Sequence, residues 1–273
     1  MYIQDEKVVI LENGPTGNYF KLIFECHGAL TRALPGQFIN IRISGEREAF
    51  PLLRRPFSIA RMLSSTNKKS KRIEVLYSVL QIGTKLLSLK RKGDFLYVLG
   101  PLGHSFPLPE KNEETIIVSG GIGIAPLIFL FESLDPQIKL SIFLGAKTKR
   151  EIVHRDVFKR KNLNLQIATE DGTLGTKGYV TAILSRYLEA HRTTRSILYA
   201  CGPRAMLKAL DGICDQWGLR GYFSWEEKMA CGIGICLTCA CPVKTANEGT
   251  NMVRCCTEGP IFETSKIDWD YFV

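Results

Sequence analysis

At 273 residues, 45% of them hydrophobic, with 24 glycines and a formal charge of +9, the chain is too long for one ordinary core and reads neither as a disordered segment nor as a helical bundle. The excess charge, densest in Lys68–Arg72 and Lys147–Lys161, favours anions such as nucleotide phosphates or an acidic protein; no recognition helix or aromatic-studded sheet motif points to nucleic acid. No stretch of 18 apolar residues occurs and Met1–Lys7 lacks a signal-peptide pattern, so the expectation is a cytoplasmic protein without a membrane span.

In chain order, short strands are predicted at Lys7–Leu11, Tyr19–Glu25, Phe38–Ile43, Phe57–Ala60, Arg72–Val79 and Phe95–Leu99, with one helix near Thr84–Lys90. Asn13-Gly14-Pro15, Pro35-Gly36 and Gly100-Pro101-Leu102-Gly103 punctuate them, which predicts an antiparallel β-barrel over 1–108. From residue 109 to 222 the pattern becomes strand, glycine turn, helix, strand: Thr115–Ser119, Gly120–Gly123, Ala125–Leu134, Lys139–Leu144. Leu165–Thr169, a helix at Tyr179–Ala190, Ser196–Ala200 and a helix at Arg204–Trp217 continue it, which is the order of a parallel sheet covered by helices. Residues 223–273 are rich in glycine and cysteine, with too little apolar periodicity for an independent core.

Nine cysteines in a chain without a secretion signal do not read as a disulfide framework, and six of them fall between Cys231 and Cys256. Cys231, Cys236 and Cys239 have the C-x4-C-x2-C spacing of plant-type ferredoxins, with a fourth candidate at Cys255 or Cys256. In such a loop four thiolates hold two irons and small glycines let backbone amides approach the sulfides. A structural zinc site would bring a C-x2-C knuckle on both sides, and only one is present. Cys26, Cys201 and Cys214 lie in apolar stretches and read as buried small residues.

Ser119-Gly120-Gly121-Ile122-Gly123-Ile124-Ala125-Pro126 follows an apolar strand and opens a helix, where unpaired amides could meet a pyrophosphate. The G-x-G-x-x-G pattern is incomplete and no acidic residue closes the second strand, so the turn alone does not decide the ligand. Arg54-Arg55-Pro56-Phe57-Ser58, with Tyr77 and Gly83-Thr84, could bind a flavin diphosphate through an arginine, a hydroxyl and helix-start amides. The four histidines are isolated and neither H-E-x-x-H nor G-x-S-x-G occurs, which argues against hydrolysis; no catalytic acid or base is singled out.

Together these motifs resemble the ferredoxin-NADP⁺ reductase superfamily, and within it the electron-transfer subunits of class 1B dihydroorotate dehydrogenase. Arg55-Pro56-Phe57-Ser58 is similar to the family's FAD-binding element, Gly83-Thr84 to its flavin-diphosphate turn and Gly120–Leu127 to its nucleotide loop. Asp171–Gly178 and Ala200–Leu207 agree as well, and Glu226–Cys236 with Cys256-Thr257-Glu258-Gly259-Pro260 is the most specific match. In the family that the chain resembles, the fourth ligand stands two residues before an acidic-Gly-Pro segment, so the resemblance implies Cys256 as the fourth ligand and leaves Cys241 a bystander. A subunit of the bifurcating NADH-dependent ferredoxin:NADP⁺ oxidoreductases is similar too, but carries aspartate where Cys231 stands.

The resemblance implies three parts: a FAD-binding barrel (1–108), an NAD(P)-binding α/β domain (109–222) and a [2Fe-2S] domain (223–273). It assigns Arg55, Pro56, Phe57, Ser58, Tyr77, Gly83 and Thr84 to FAD, Gly121, Gly123 and Pro126 to the nucleotide loop, and Cys231, Cys236, Cys239 and Cys256 to the cluster. The implied partner is an FMN-containing dihydroorotate dehydrogenase catalytic subunit, in a heterotetramer serving pyrimidine synthesis. Lys147, Lys149 and Arg150 leave NADH or NADPH open from the residues alone, and the resemblance implies NADH. Gln81 stands where the family has glycine, and Phe57 where it has a smaller residue. The rival readings are an NAD(P)H-dependent ferredoxin or sulfide oxidoreductase subunit and a non-catalytic nucleotide- and metal-binding sensor.

Overall fold

The computed structural model describes residues 3–45, 48, 50–111, 113–158, 163–191, 195–245 and 249–272, so Lys159–Lys161 of the second basic run lie outside the described residues. Seven strands, β1 (Gln4–Thr16), β2 (Tyr19–Cys26), β3 (Phe38–Arg42), β4 (Arg55–Ser58), β5 (Arg61–Ser64), β6 (Lys71–Tyr77) and β7 (Phe95–Leu102), form one sheet in the order β4-β3-β7-β1-β2-β6-β5. Every pairing is antiparallel, and the sheet curls around a core that includes Ile10, Leu22, Phe24, Ile39, Ile41 and Val98. A single helix, α1 (Ile82–Leu89), follows β6.

Two readings of this half change. Asn13-Gly14-Pro15 does not break the chain: it lies inside β1, paired with Leu22, Lys21 and Phe20, and the reversal comes at Gly17, at φ +57°. A Cβ at Gly17 would lie 2.2 Å from the carbonyl oxygen of Arg150, so this turn is also where the barrel touches the second sheet's connections. β5 was absent from the predicted elements; Arg61-Met62-Leu63-Ser64 is too short and too half-buried to show a period, and only its pairing with β6 makes it a strand.

The second sheet contains β8 (Glu114–Gly120), β9 (Leu140–Ala146), β10 (Asn164–Thr169), β11 (Thr176–Lys177), β12 (Ser196–Cys201), β13 (Arg220–Ser224) and, after the hairpin β14 (Ala240–Lys244) and β15 (Thr250–Arg254), β16 (Ile261–Glu263). Its order is β11-β10-β9-β8-β12-β13-β16, parallel up to β13. Helices α2 (Ile124–Ser133), α3 (Val180–Ala190) and α4 (Arg204–Trp217) cover its faces. The near-continuous apolar runs of β8, β9 and β12 are buried throughout, as strands covered on both faces require.

The cysteine-rich segment lacks a core of its own, and the structure shows how it folds without one. β16 pairs antiparallel with β13, setting Phe262 beside Phe223. Cys239, Cys256, Ile267, Trp225 and Trp269 join the same buried cluster as Ile116, Leu198 and Phe223 of the parallel sheet.

Barrel and parallel sheet are also joined by charge. Arg61 on β5 donates from Nε and Nη2 to Glu132 Oε1 of α2, at 2.9 and 2.6 Å, and its Nη1 lies 3.8 Å from Oε2 of the buried Glu74. Glu74 Oε1 in turn lies 2.6 Å from His154 Nε2 on the loop that follows β9. Because Glu74 is almost fully buried on β6, losing the guanidinium leaves a carboxylate poorly compensated. Arg61→Leu is expected to cost about 2 kcal/mol, between the values for exposed and buried pairs. The denaturant midpoint reads this, and adding Glu74→Gln should recover part of the loss.

Candidate functional site

On the barrel side, β4 is an edge strand registered on β3 with Ile41 opposite Arg55 and Phe38 opposite Ser58. The Arg55 guanidinium crosses to the start of α1, where a Cβ at Gly83 would lie 2.6 Å from Arg55 Nε. Arg55 Nη1 donates to the carbonyl of Leu53 at 2.5 Å. Thr84 Oγ1 accepts from the amides of Leu80 and Gln81, at 2.9 and 3.2 Å, and so closes the helix start. Gln81 has φ −138° and ψ −179°, extended backbone that any side chain adopts, so the departure from glycine there strains nothing.

Beneath this rim, Phe57 packs edge-on against Tyr77 with ring centroids 5.7 Å apart, and both rings are buried. Burial raises the Tyr77 phenol, which donates to Asn13 Oδ1 at 2.9 Å. Asn13 Nδ2 donates to the carbonyls of Leu87 and Lys90, at 2.7 and 3.0 Å, and so caps the far end of α1. Asn13 thus ties β1, Tyr77 and α1 together. Sequence reading missed it because Asn-Gly-Pro is a turn signal, and nothing local tells a turn asparagine from a capping one.

The second region is a cleft of 720 Å³ along the carboxyl ends of the parallel strands. Its lining follows the strand order. Glu170 after β10 and Lys147 with Glu151 after β9 stand at one end, Gly120–Gly123 after β8 in the middle, and Gly202, Pro203 and Glu226 after β12 and β13 at the other. A Cβ at Gly123 would lie 2.2 Å from the carbonyl oxygen of Cys201, so the turn is pressed against backbone that cannot yield. Pro126, in the first turn of α2, is buried behind it. Tyr19 of β2 stands over Gly121; burial and then the Glu151 charge raise its phenol. Crowding at the cleft's end likewise raises the Glu226 carboxyl, which sequence reading had placed only within a motif.

The third region holds the cysteines. Cys231 is half-buried and Cys236 exposed on a loop that turns left-handed at Gly232, Gly234 and Leu237, with φ of +71°, +85° and +59°. Cys239 and Cys256 are buried. The Ile233 amide donates to Cys231 Sγ at 3.5 Å and the Cys256 amide to Cys239 Sγ at 3.4 Å. Cys256 is thus tied to Cys239 through its backbone amide, and Cys236 lies on the same loop as Cys231. Hydrogen bonding to Thr238 first, and to Cys231, pulls Cys236 down to about 6; burial first, and Cys239, pushes Cys256 up to about 12.

Cys255 turns away from this group. Its Sγ donates to the Trp225 carbonyl at 3.4 Å, and its other neighbour is Cys241, which first and together with burial pushes its thiol far up. Arg254 braces the arrangement: Nη1 donates to the Gly234 carbonyl at 3.3 Å while the guanidinium pairs with Glu258, which it pulls down to about 2. Among the described residues no three His, Cys, Asp or Glu side chains are gathered tightly enough for a single cation. Four cysteines, two buried and two toward solvent on one loop and its return passage, supply the four thiolates that a [2Fe-2S] cluster takes.

Residues 226–268 match the family described as the iron–sulfur cluster binding domain of dihydroorotate dehydrogenase B, and residues 117–211 the oxidoreductase NAD-binding domain. The dihydroorotate dehydrogenase B (NAD(+)) electron transfer subunit of Desulforamulus reducens is 35% identical over 254 residues, 93% of this chain and 94% of that protein. That of Bacillus cereus is 34% identical over 272 residues, 98% of this chain and 99% of that protein. The chain belongs to the dihydroorotate dehydrogenase B electron transfer subunits. Among solved structures, the NADH-dependent reduced ferredoxin-NADP oxidoreductase superposes with a TM-score of 0.78 at 28% identity, covering 97% of this chain and 90% of the other. The ferredoxin reductase of carbazole 1,9a-dioxygenase, with a TM-score of 0.64 at 20% identity over 80% of this chain and 67% of the other, shares the fold.

The expected family, three-part architecture and cofactor set of FAD, NAD and [2Fe-2S] therefore hold for this electron transfer subunit. Two variants probe the geometry. Gly83→Ala displaces Arg55 from the α1 start and is expected to weaken FAD retention about tenfold, the scale of one charge-assisted hydrogen bond, by flavin release on dilution. Arg254→Ala frees Gly234 from the Cys256 segment and is expected to lower iron per chain while FAD content stays unchanged.

Proposed function

We propose that this chain passes electrons between a partner FMN-containing dihydroorotate dehydrogenase catalytic subunit and NAD⁺, with Arg55, Pro56, Phe57, Ser58, Tyr77, Gly83 and Thr84 serving FAD. Cys231, Cys236, Cys239 and Cys256 hold the [2Fe-2S] cluster, and Gly121, Gly123 and Pro126 shape the nucleotide loop. The observation that carries the reading is adjacency: strand β3, which carries β4 on one edge, touches the cysteine loop through Asn40 and Cys231, while the nucleotide cleft opens beside Tyr19 of the same barrel.

When bound, FAD supplies the two-electron chemistry with nicotinamide and the cluster supplies one-electron exchange. The chain's own part is binding and orientation. Arg55 offers a fixed positive charge to a diphosphate at the amide-rich start of α1. The Gly121–Gly123 turn lets a pyrophosphate approach α2, and the order of the cleft's lining supports a reading with the adenosine near Lys147 and Glu170 and the nicotinamide near Gly202 and Glu226. Glu151 and Glu170 flank Lys147 at the adenosine end, carboxylates that repel a 2′-phosphate, which supports NADH over NADPH.

Around the exposed Cys236, Ile235 and Leu237 are 77% and 62% exposed, an apolar rim that suits the docking of a partner close to the cluster. The domains are proposed to divide at 1–108, 109–222 and 223–273, the assembly to be a heterotetramer, and the location to be the cytoplasm, as for an enzyme of pyrimidine synthesis. Among the described residues no helix is long and apolar enough to cross a membrane.

An anaerobic NADH titration of the purified chain, followed by absorbance and low-temperature EPR, tests the path: flavin bleaching together with a reduced two-iron signal is expected. Flavin that NADH leaves oxidised would sink the reading. In the same assay Cys256→Ser is expected to abolish the signal and Cys255→Ser to keep it, because Cys255 faces Trp225 and Cys241.

A further inference from the structure

Asn40 is a fully buried amide in the middle of a barrel strand, flanked by Ile39 and Ile41, which enter the barrel core. Alternation sends Asn40 to the opposite face with Phe38, which packs into the core shared by the parallel sheet and the cysteine segment. In the β3–β4 register Asn40 stands opposite Pro56, between the partners of Arg55 and Phe57. From there Nδ2 donates to the backbone carbonyl of Cys231 at 3.1 Å. The next residue is Gly232, where a Cβ would lie 2.0 Å from that same nitrogen, so the loop approaches the amide more closely than any side chain allows.

Asn40 Oδ1 is buried and without a hydrogen-bond partner among the described residues. A buried, half-satisfied amide is costly, and an apolar side chain of similar volume would pack there with less penalty. Resting on the electron-transfer reading above, we propose that Asn40 is a positioning residue for one-electron exchange: it fixes the Cys231–Gly232 peptide against the flavin strand and tunes the cluster.

The physical route is short. A donor on the Cys231 carbonyl polarises the peptide and strengthens its Gly232 N–H as a donor, on a loop whose Ile233 amide already reaches Cys231 Sγ at 3.5 Å. Donors facing the sulfurs favour the reduced, more negative cluster. Asn40 therefore raises the cluster potential while holding the loop at a fixed separation from β4. With both groups bound, NADH would supply the flavin two electrons as hydride, and each electron gained by the cluster would be one lost by the reduced flavin.

The test uses the full holoprotein, with Asn40→Leu, which removes the amide, and Asn40→Asp, which keeps the shape and loses the N–H donor. NADH should bleach the flavin of both variants at near the wild-type rate, since nothing in the nucleotide cleft changes. Cluster reduction after the flavin should slow about tenfold, the scale of other second-sphere changes. The EPR g-values should shift and the cluster midpoint potential should fall. If Asn40→Leu does not fold, Asn40→Asp is read alone. Normal potential and normal cluster reduction in a folded variant would overturn the proposal, as would loss of iron with an unchanged potential in the clusters that remain, which marks a structural cross-link only. A wild-type flavin that NADH does not reduce would instead overturn the electron-transfer reading itself.

Discussion

Everything at the redox end of this protein depends on the antiparallel pairing of β16 with β13. The cysteine segment buries too little apolar surface to stand alone, and this one short strand brings its return passage onto the edge of the parallel sheet. Trp225 and Trp269, with ring centroids 5.3 Å apart, then seal a core shared by both parts. Cys239 and Cys256 are buried because of it, while Cys231 and Cys236 remain toward solvent. One pair of thiols is anchored in the fold and the other presented outward, an asymmetry that suits a cluster with a protein-facing and a partner-facing side.

The barrel is held to this frame by contacts of different kinds. Phe38 and Leu102 enter the shared core, a Cβ at Gly103 would lie 2.5 Å from Pro260, and the His104 amide donates to the Gly259 carbonyl at 2.7 Å. On the other side, Arg61, Glu74, Glu132 and His154 form a charged junction around one nearly buried carboxylate. Apolar packing sets how closely the units approach, and the charges set their register. β4 is registered on β3, and the Gly120–Gly123 turn is pressed against the Cys201 backbone, so both are held by packed neighbours.

The rim of the barrel around Arg55 shows how strongly one position can depend on distant ones. Arg55 reaches α1 only because Gly83 has no side chain, α1 starts cleanly because the Thr84 hydroxyl accepts two amides, and its far end is tied down by Asn13 from β1. Phe57, larger than the family pattern suggests, finds its room against Tyr77, whose hydroxyl the same Asn13 holds. The departures at Gln81 and Phe57 are therefore accommodated locally, by extended backbone in one case and by an aromatic edge contact in the other.

The sequence by itself determined the class of fold and the chemistry. Apolar runs separated by glycine turns specify a covered parallel sheet, and C-x4-C-x2-C with glycines between specifies two irons, because both signals are local and set by spacing. It also carried Arg55 and Gly83 as separate motifs, though not their contact. Tertiary structure alone decided which weak segments became strands, since β5 and β16 have no period of their own and exist through their partners. It separated Cys256 from Cys255, a difference of facing that adjacent residues cannot announce, and it turned Asn13 from a turn residue into a cap. It brought Asn40 to Cys231 across 191 positions, because hydrogen bonds between distant segments are specified by the packing that brings them together and leave no mark in either segment's sequence.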